Sequence, residues 1–167
     1  MKVHKYILRL FAICFFSVYL ISCEDNPTNT SFYPPDNNDQ VTINEGVWGN
    51  VWFWEGNFMP STDGPSGGKI TPVKRVIYAY EATQYDEVEP GNGTFFNKIN
   101  TELVAVTVSR TNGFYQILLP PGKYSFFVKE IDMYYANGAD NEHIQPAIVV
   151  ENEVTKRQID INYKAVY

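Results

Sequence analysis

Apolar and polar side chains alternate with a period of two through most of this 167-residue chain, and this pattern limits the possible folds more than any other feature. β-Branched and aromatic residues fill the alternating stretches, and no stretch keeps a helical period over three turns. The pattern predicts strands at about 46–55, 73–81, 102–109, 114–119, 123–131, 146–151 and 154–163. About seven strands in a domain of this size indicate an all-β, two-sheet antiparallel Greek-key sandwich.

The stretch "RTNGFYQILLPPG" at 110–122 places a turn on each side of one predicted strand. Asn112 and Gly113 tolerate positive φ, and Pro120-Pro121-Gly122 presets φ and removes backbone donors. Three sequential antiparallel strands joined by tight turns are therefore expected here.

The N-terminus has the pattern of a targeting segment. Lys2, Lys5 and Arg9 precede an apolar run at 10–21, which suits a signal peptide and is short for a bilayer span. The run ends in Leu-Ile-Ser-Cys, which resembles the lipobox of bacterial lipoproteins. The resemblance implies that residues 1–22 are removed and that Cys23 is lipidated, with palmitate among its acyl chains. An uncleaved anchor, or an ordinary signal peptide in which Cys23 is incidental, remains an alternative.

Charge and cysteine content narrow the range of partners. Removal of 1–22 takes away three of 13 basic residues and none of 19 acidic ones, so the net charge changes from −6 to −9 (10 − 19). Such a protein repels phosphate, so we expect no nucleic-acid partner and a membrane held by lipid alone. Cys14 lies in the removed segment, so no disulfide is expected.

Glu24 and Asp25 resemble a surface-export signal of Gram-negative lipoproteins, or they begin a solvated tether. We therefore expect an outer-membrane lipoprotein, either periplasmic or surface-facing.

Composition divides the mature chain into two parts. Residues 23–44 are polar and contain prolines, and this composition predicts a lipidated, flexible tether. Residues 45–167 are the size of one domain with a single core.

The motifs of this domain resemble a known family. "GVWGNVWFWEGNFMP", "VKRVIYAYEA" and "TVSRTNGFYQILLPPGKYSFFV" are similar to the carboxypeptidase regulatory-like domains of prealbumin (transthyretin-like) fold. The resemblance covers about 45–163, with a longer first connection at 56–71 and an insertion at 83–101. It implies a non-catalytic stability, spacing or recognition unit.

Groups for catalysis or metal binding are sparse. The mature chain has one histidine, His143, which we expect to be a solvated side chain in a polar loop. Carboxylates crowd two predicted loops, at Asp86, Glu87 and Glu89 and at Asp132, Asp140 and Glu142. Neither loop has the ligand ladder of a calcium site, and no glycine-rich phosphate loop is present. We expect no enzyme activity, no cofactor and no metal.

Aromatic residues are the remaining candidates for binding. Trp48, Trp52 and Trp54 share one parity of the first strand, so they form an exposed platform for a glycan or protein unless the 56–71 connection covers them. We favour the covered arrangement, with Phe58 and Met59 across the indoles. Tyr134 and Tyr135 are a second candidate contact, or they pack at a strand end.

The sequence thus predicts a lipid-anchored envelope module that binds or supports other molecules without catalysis. The alternatives are a carbohydrate-binding lipoprotein, a small hydrolase that uses a pair of carboxylates, and a subunit of a surface assembly. An exposed, unpaired edge strand favours the assembly subunit.

Overall fold

The structure is a computed structural model that describes residues 33–60 and 67–167. The chain separates into two compact units, Met1–Thr30 and Ser31–Tyr167, and every described residue belongs to the second. The predicted signal peptide and Cys23 lie outside the described residues. Within the described part, no helix is long and apolar enough to cross a membrane.

The described residues are mostly strand. The strands are β1 (Gly46–Asn57), β2 (Lys69–Pro72), β3 (Val76–Glu81), β4 (Val88–Pro90), β5 (Phe95–Ile99), β6 (Leu103–Val108), β7 (Phe114–Ile117), β8 (Gly122–Glu130), β9 (Met133–Tyr135), β10 (Pro146–Val149), β11 (Val154–Lys156) and β12 (Ile159–Val166). Two single 3-10 turns occur at Asn38–Gln40 and Tyr85–Glu87.

The long strand β1 organises a five-stranded sheet. Its first half pairs antiparallel with β7 and parallel with β11, with Val47 opposite Ile117 and Thr155. Its second half pairs antiparallel with β2 and parallel with β12, with Val51 opposite Ile159. The tryptophans of β1 therefore lie near the centre of this sheet.

The second sheet has seven strands in the order β4-β5-β9-β8-β3-β6, and β10 also pairs with β8. All of its pairings are antiparallel. The strand β6 ends this order. Its only ladder within the described residues is with β3, so the sheet has an edge there.

The two sheets pack face to face around one apolar core. Val47, Val51 and Ile159 of the first sheet pack with Ile77 and Phe126 of the second, and all five are 0% exposed. The predicted all-β, two-sheet fold is confirmed. Each predicted strand is present, but 154–163 is divided into β11 and β12, and short strands were missed. Three-residue strands such as β4 and β9 are too short for a period to be recognised. The predicted run of three neighbouring antiparallel strands at 107–128 is wrong, because β7 pairs with β1 in the five-stranded sheet, whereas β6 and β8 both pair with β3 in the other sheet.

A smaller apolar cluster covers the other face of the seven-stranded sheet. It contains Tyr80, Phe96 and Phe127, together with Val88 of β4 and Ile144 from the connection before β10. Part of it comes from the predicted insertion at 83–101, which forms a 3-10 turn, β4 and β5. The insertion thus gives this sheet a second buried side.

Two glycines are fixed by their surroundings. Gly49 lies on β1 where a Cβ atom would stand 1.9 Å from the carbonyl oxygen of Arg157, so only glycine allows this approach. Gly113 closes the turn before β7 with φ +84°, and its amide donates to the carbonyl of Arg110 at 2.9 Å.

Candidate binding surfaces

Two of the three tryptophans of β1 are buried. Trp48 is 9% exposed and packs against Phe114 with ring centroids 6.4 Å apart, and the Lys156 ammonium lies 5.1 Å from the centre of its ring. Trp52 is 2% exposed. Both faces of β1 are therefore covered at these positions.

Trp54 is half-buried at the end of the same row. Its indole Nε1 donates to Asp160 at 2.9 Å, and its ring meets Tyr33 at 5.3 Å and Phe58 at 5.0 Å. Phe58 thus packs on a tryptophan as expected, whereas Met59 is 48% exposed. Trp54, the indole that remains partly accessible, thus already makes a hydrogen bond at Nε1 and ring contacts with two aromatic side chains.

Residues 33–44, which we call the strap, lie against the tryptophan-bearing face of β1. Asn37 donates to Asn50 at 2.6 Å, and Asn50 donates to Asp36 at 2.6 Å. Asp36 also forms an ion pair with Lys156. Burial acts to raise the pKa of Asp36, but the hydrogen bonds from Lys156 and Asn50 outweigh it, so this pKa is lowered.

Further hydrogen bonds hold the second half of the strap. Gln116 exchanges two bonds with Thr42, of 3.0 Å and 2.7 Å, and Arg110 donates to Gln40 at 2.9 Å. The structure therefore places 33–44, which composition assigned to the flexible tether, against the five-stranded sheet. The contacts are mostly polar, so a criterion based on apolar content does not detect them.

A groove of about 470 Å³ opens between the strap and the sheet. Its lining consists of Tyr33, Pro34, Pro35, Asp36, Trp52, Lys156 and Gln158. An aromatic floor with a carboxylate, an amide and an ammonium at the rim has the groups that bind a polar ring compound.

We expect Asn50→Ala to loosen the strap. Asn50 is 1% exposed, and both strap residues that bond its side chain would lose that partner. The free energy of unfolding should fall by about 1–3 kcal/mol. Hydrogen exchange followed by mass spectrometry should show that peptides from 33–44 exchange faster in the variant than in the unmutated protein. Peptides from β8 should exchange at the same rate in both. Unchanged exchange in the strap would contradict the anchoring role of Asn50. Asn97→Ala, at an exposed amide, is the matched control.

The two adjacent tyrosines of β9 have different environments. Tyr135 is 0% exposed in the main core, and its hydroxyl donates to Asn162 at 2.8 Å and accepts the Asn162 amide at 3.0 Å. Burial raises its pKa. Tyr134 is half-buried on the opposite face, 5.3 Å from Tyr78, with the Lys129 ammonium 4.7 Å from its ring. Of the pair, only Tyr134 reaches the surface.

The carboxylates and the histidine serve local structure. Asp140 pairs with Lys123 at 2.8 Å and accepts the amides of Glu142 and His143. These hydrogen bonds hold the pKa of Asp140 well below its usual range. His143 Nδ1 lies 2.9 Å from the Lys123 ammonium, and its side chain is 13% exposed, so it is less solvated than expected.

The acidic stretch at 86–89 also has local contacts. Glu87 caps the 3-10 turn by accepting the Gln84 amide at 2.9 Å, and Glu89 faces Lys98 at 3.8 Å. Among the described residues, no three acidic, histidine or cysteine side chains form a group that could hold a metal.

The edge strand β6 carries an exposed apolar surface that the sequence did not single out. Val104, Val106 and Val108 are 38%, 49% and 48% exposed on the face opposite the core, and Leu103 is 45% exposed. Alternation was visible in the sequence, but which strand lies at an edge depends on sheet order. The exposed valines and the free edge together form the surface that we call the β6 edge.

No family model, no curated protein and no solved structure matches this chain. The resemblance to carboxypeptidase regulatory-like domains stays a prediction.

Proposed function

We propose that this chain is a non-catalytic, lipid-anchored module of the Gram-negative envelope that joins a protein assembly through the β6 edge. The single observation that carries the proposal is an edge strand with three exposed valines and no charged side chain from Leu103 to Val108. Soluble proteins usually protect such an edge with charges, prolines, β-bulges or a covering segment, and of these β6 has one bulge, at Val104. An uncharged apolar edge is suited to receive a strand from another chain.

The charged groups of the domain support a structural rather than a catalytic role. The buried carboxylate of Glu130 pairs with Arg75, and Asp140 pairs with Lys123. A carboxylate held in an ion pair is a poor general acid or base near neutral pH. Binding by strand addition requires none of these groups.

The family assignment is part of the proposal. It is supported by the sequence motif from Asn112 to Tyr124, although the strands β7 and β8 of this segment pair in different sheets and not with each other. Such a unit, attached to a membrane by acyl chains, would present its edge strand close to the lipid surface. Residues 24–32 span at most about 32 Å when fully extended, and lipidation confines the domain within that distance.

The lipid anchor is tested by intact-mass measurement of the membrane-bound protein. We expect a chain that begins at Cys23 and carries acyl chains, and we expect Cys23→Ser to release the protein from the membrane fraction. A mature protein with an unmodified Cys23 would contradict the anchor.

The binding surface is tested by photo-crosslinking in a Gram-negative host. A benzophenone amino acid replaces Val106 in the full-length chain, and the control carries it at Ile131, which is 69% exposed in a turn. We expect a protein adduct from position 106 and none from position 131. Absence of any adduct at 106 would contradict docking through the β6 edge.

The groove beside the strap favours carbohydrate binding as a second candidate function. Its rim groups Tyr33, Asp36 and Gln158 are of the types that hydrogen-bond sugar hydroxyls. Binding on a glycan array that is lost in Gln158→Ala, with the fold retained, would favour it. Because Trp48 and Tyr135 are buried and Trp52 is only 2% exposed, a sugar in this groove would contact mainly the rim groups and not an indole platform.

A further inference from the structure

The sequence of β6 is complementary to itself in the antiparallel direction. Residues 102–110 read "ELVAVTVSR". If two copies pair about a two-fold axis through Val106, then Val104 lies opposite Val108 of the second copy, and Ala105 lies opposite Thr107. The same register brings Glu102 at one end near Arg110 at the other. Valine pairs with valine, and a negative end meets a positive end.

The backbone of β6 has the correct orientation for this pairing. The Ser109 amide donates to the Arg75 carbonyl at 2.9 Å, and Val76 lies opposite Val108. Antiparallel pairs alternate between hydrogen-bonded and non-bonded, so the bonded pairs with β3 are those of Ser109, Thr107 and Ala105. The amide and carbonyl groups of Val106 and Val108 therefore point toward the free edge. A two-fold axis at Val106 requires this orientation.

We propose that the occupant of the β6 edge is a second copy of this chain, added antiparallel and centred on Val106. This inference rests on the proposed function and names its partner. It joins the two seven-stranded sheets into one continuous sheet, and it buries valine pairs that are otherwise exposed. Lipid anchoring raises the effective concentration of both copies at the membrane, which favours an interface of modest size.

Charge sets the direction and register of the pair. Glu102 and Arg110 are both exposed, and the segment between them contains no charge. The Arg110 guanidinium now donates to Gln40 of the strap at 2.9 Å and lies 5.1 Å from the Phe114 ring, so an ion pair with Glu102 of the second copy would replace the bond to Gln40. The ladder with β3 shifts register between Ala79 and Tyr80, because Val104 is an extra residue that forms a bulge in β6, and this displaces Glu102 by one residue, about 3.3 Å. The length of the arginine side chain spans this displacement. Parallel pairing would instead place like charges together.

The test is disulfide crosslinking of the full-length chain in membranes. In the proposed register, the Cα atoms of the two Val106 residues lie about 5.5 Å apart, within the range that a disulfide bridges. Val106→Cys should crosslink to a dimer of twice the chain mass on mild oxidation. Val104→Cys alone should not, because its two copies lie about 13 Å apart. A mixture of Val104→Cys and Val108→Cys chains should crosslink.

Charge reversal provides a matched set of variants. In the Val106→Cys background, Glu102→Arg or Arg110→Glu should each lower the dimer yield about threefold to tenfold, because like charges then meet at both ends. The double reversal should restore the yield. Thermal unfolding of each variant shows whether the fold is retained, and oxidation of the unmutated chain measures any contribution from Cys14 and Cys23.

Each outcome decides between the two proposals. No dimer from Val106→Cys, together with a crosslink from position 106 to a different protein, overturns the second-copy inference and leaves the proposed function standing. Equal crosslinking of Val104→Cys and Val106→Cys overturns the proposed register. No adduct of any kind at position 106 overturns both.

Discussion

Arg75→Met should lower the free energy of unfolding by about 3 kcal/mol, because it leaves a buried carboxylate without its ion-pair partner. Glu130 is 4% exposed and is bound by the Arg75 guanidinium and by the Tyr163 hydroxyl, which donates at 2.9 Å. Burial and this hydrogen bond to Glu130 raise the pKa of Tyr163 to about 12. Tyr163 alone cannot neutralise the carboxylate. Urea denaturation followed by tryptophan fluorescence measures the loss.

The matched variants separate the lost ion pair from lost packing. Adding Glu130→Gln to Arg75→Met removes the unpaired charge, so the double variant should be more stable than Arg75→Met alone. Lys98→Met is the surface control, because Lys98 and Glu89 are both more than half exposed at 3.8 Å. That change should cost less than about 1 kcal/mol. Equal losses for Arg75→Met and Lys98→Met would contradict the role given to Glu130.

Trp52→Ala should lower the free energy of unfolding by about 3–5 kcal/mol, the range for removal of a large buried aromatic side chain. Trp52 is 2% exposed and lies on β1 between β2 and β12 in the five-stranded sheet. Its loss removes part of the lining of the groove between the strap and the sheet. Thermal and urea unfolding should both report the change, and strap peptides should exchange hydrogen faster.

A comparison within the same row of tryptophans tests this interpretation. Trp54→Phe keeps an aromatic ring and loses only the bond from Nε1 to Asp160, so we expect a cost of about 1–2 kcal/mol. If Trp52→Ala lost glycan binding while its stability stayed unchanged, Trp52 would be a binding residue and not part of the core.

The buried tryptophans explain why sequence alone left the binding surface open. Alternation places Trp48, Trp52 and Trp54 on one face of β1, but it does not say what covers that face. The strap lies against this face, and its amides and carboxylate contact Asn50, Gln116 and Lys156 from positions distant in sequence. Polar docking of this kind has no periodic signature, so the composition of 23–44 indicated a tether.

The edge strand β6 shows the same limit of side-chain alternation, which does not reveal the neighbours of a strand. Leu103 to Val108 was correctly predicted as a strand, yet the same alternation fits a central and an edge strand. Sheet order is decided by which strands meet after the chain folds, and it leaves the outer side of β6 without a ladder among the described residues.

Local chemistry by itself determined that this chain is β-structured, where its main strands lie and where it turns, because side-chain alternation, β-branching and Asn-Gly or Pro-Pro-Gly steps act within a few residues. Tertiary structure alone decided which indoles are buried, that 33–44 lies on a sheet, and which strand remains open. These properties depend on contacts between segments separated by up to 120 residues, as Asp36 and Lys156 are, and no local pattern encodes such contacts.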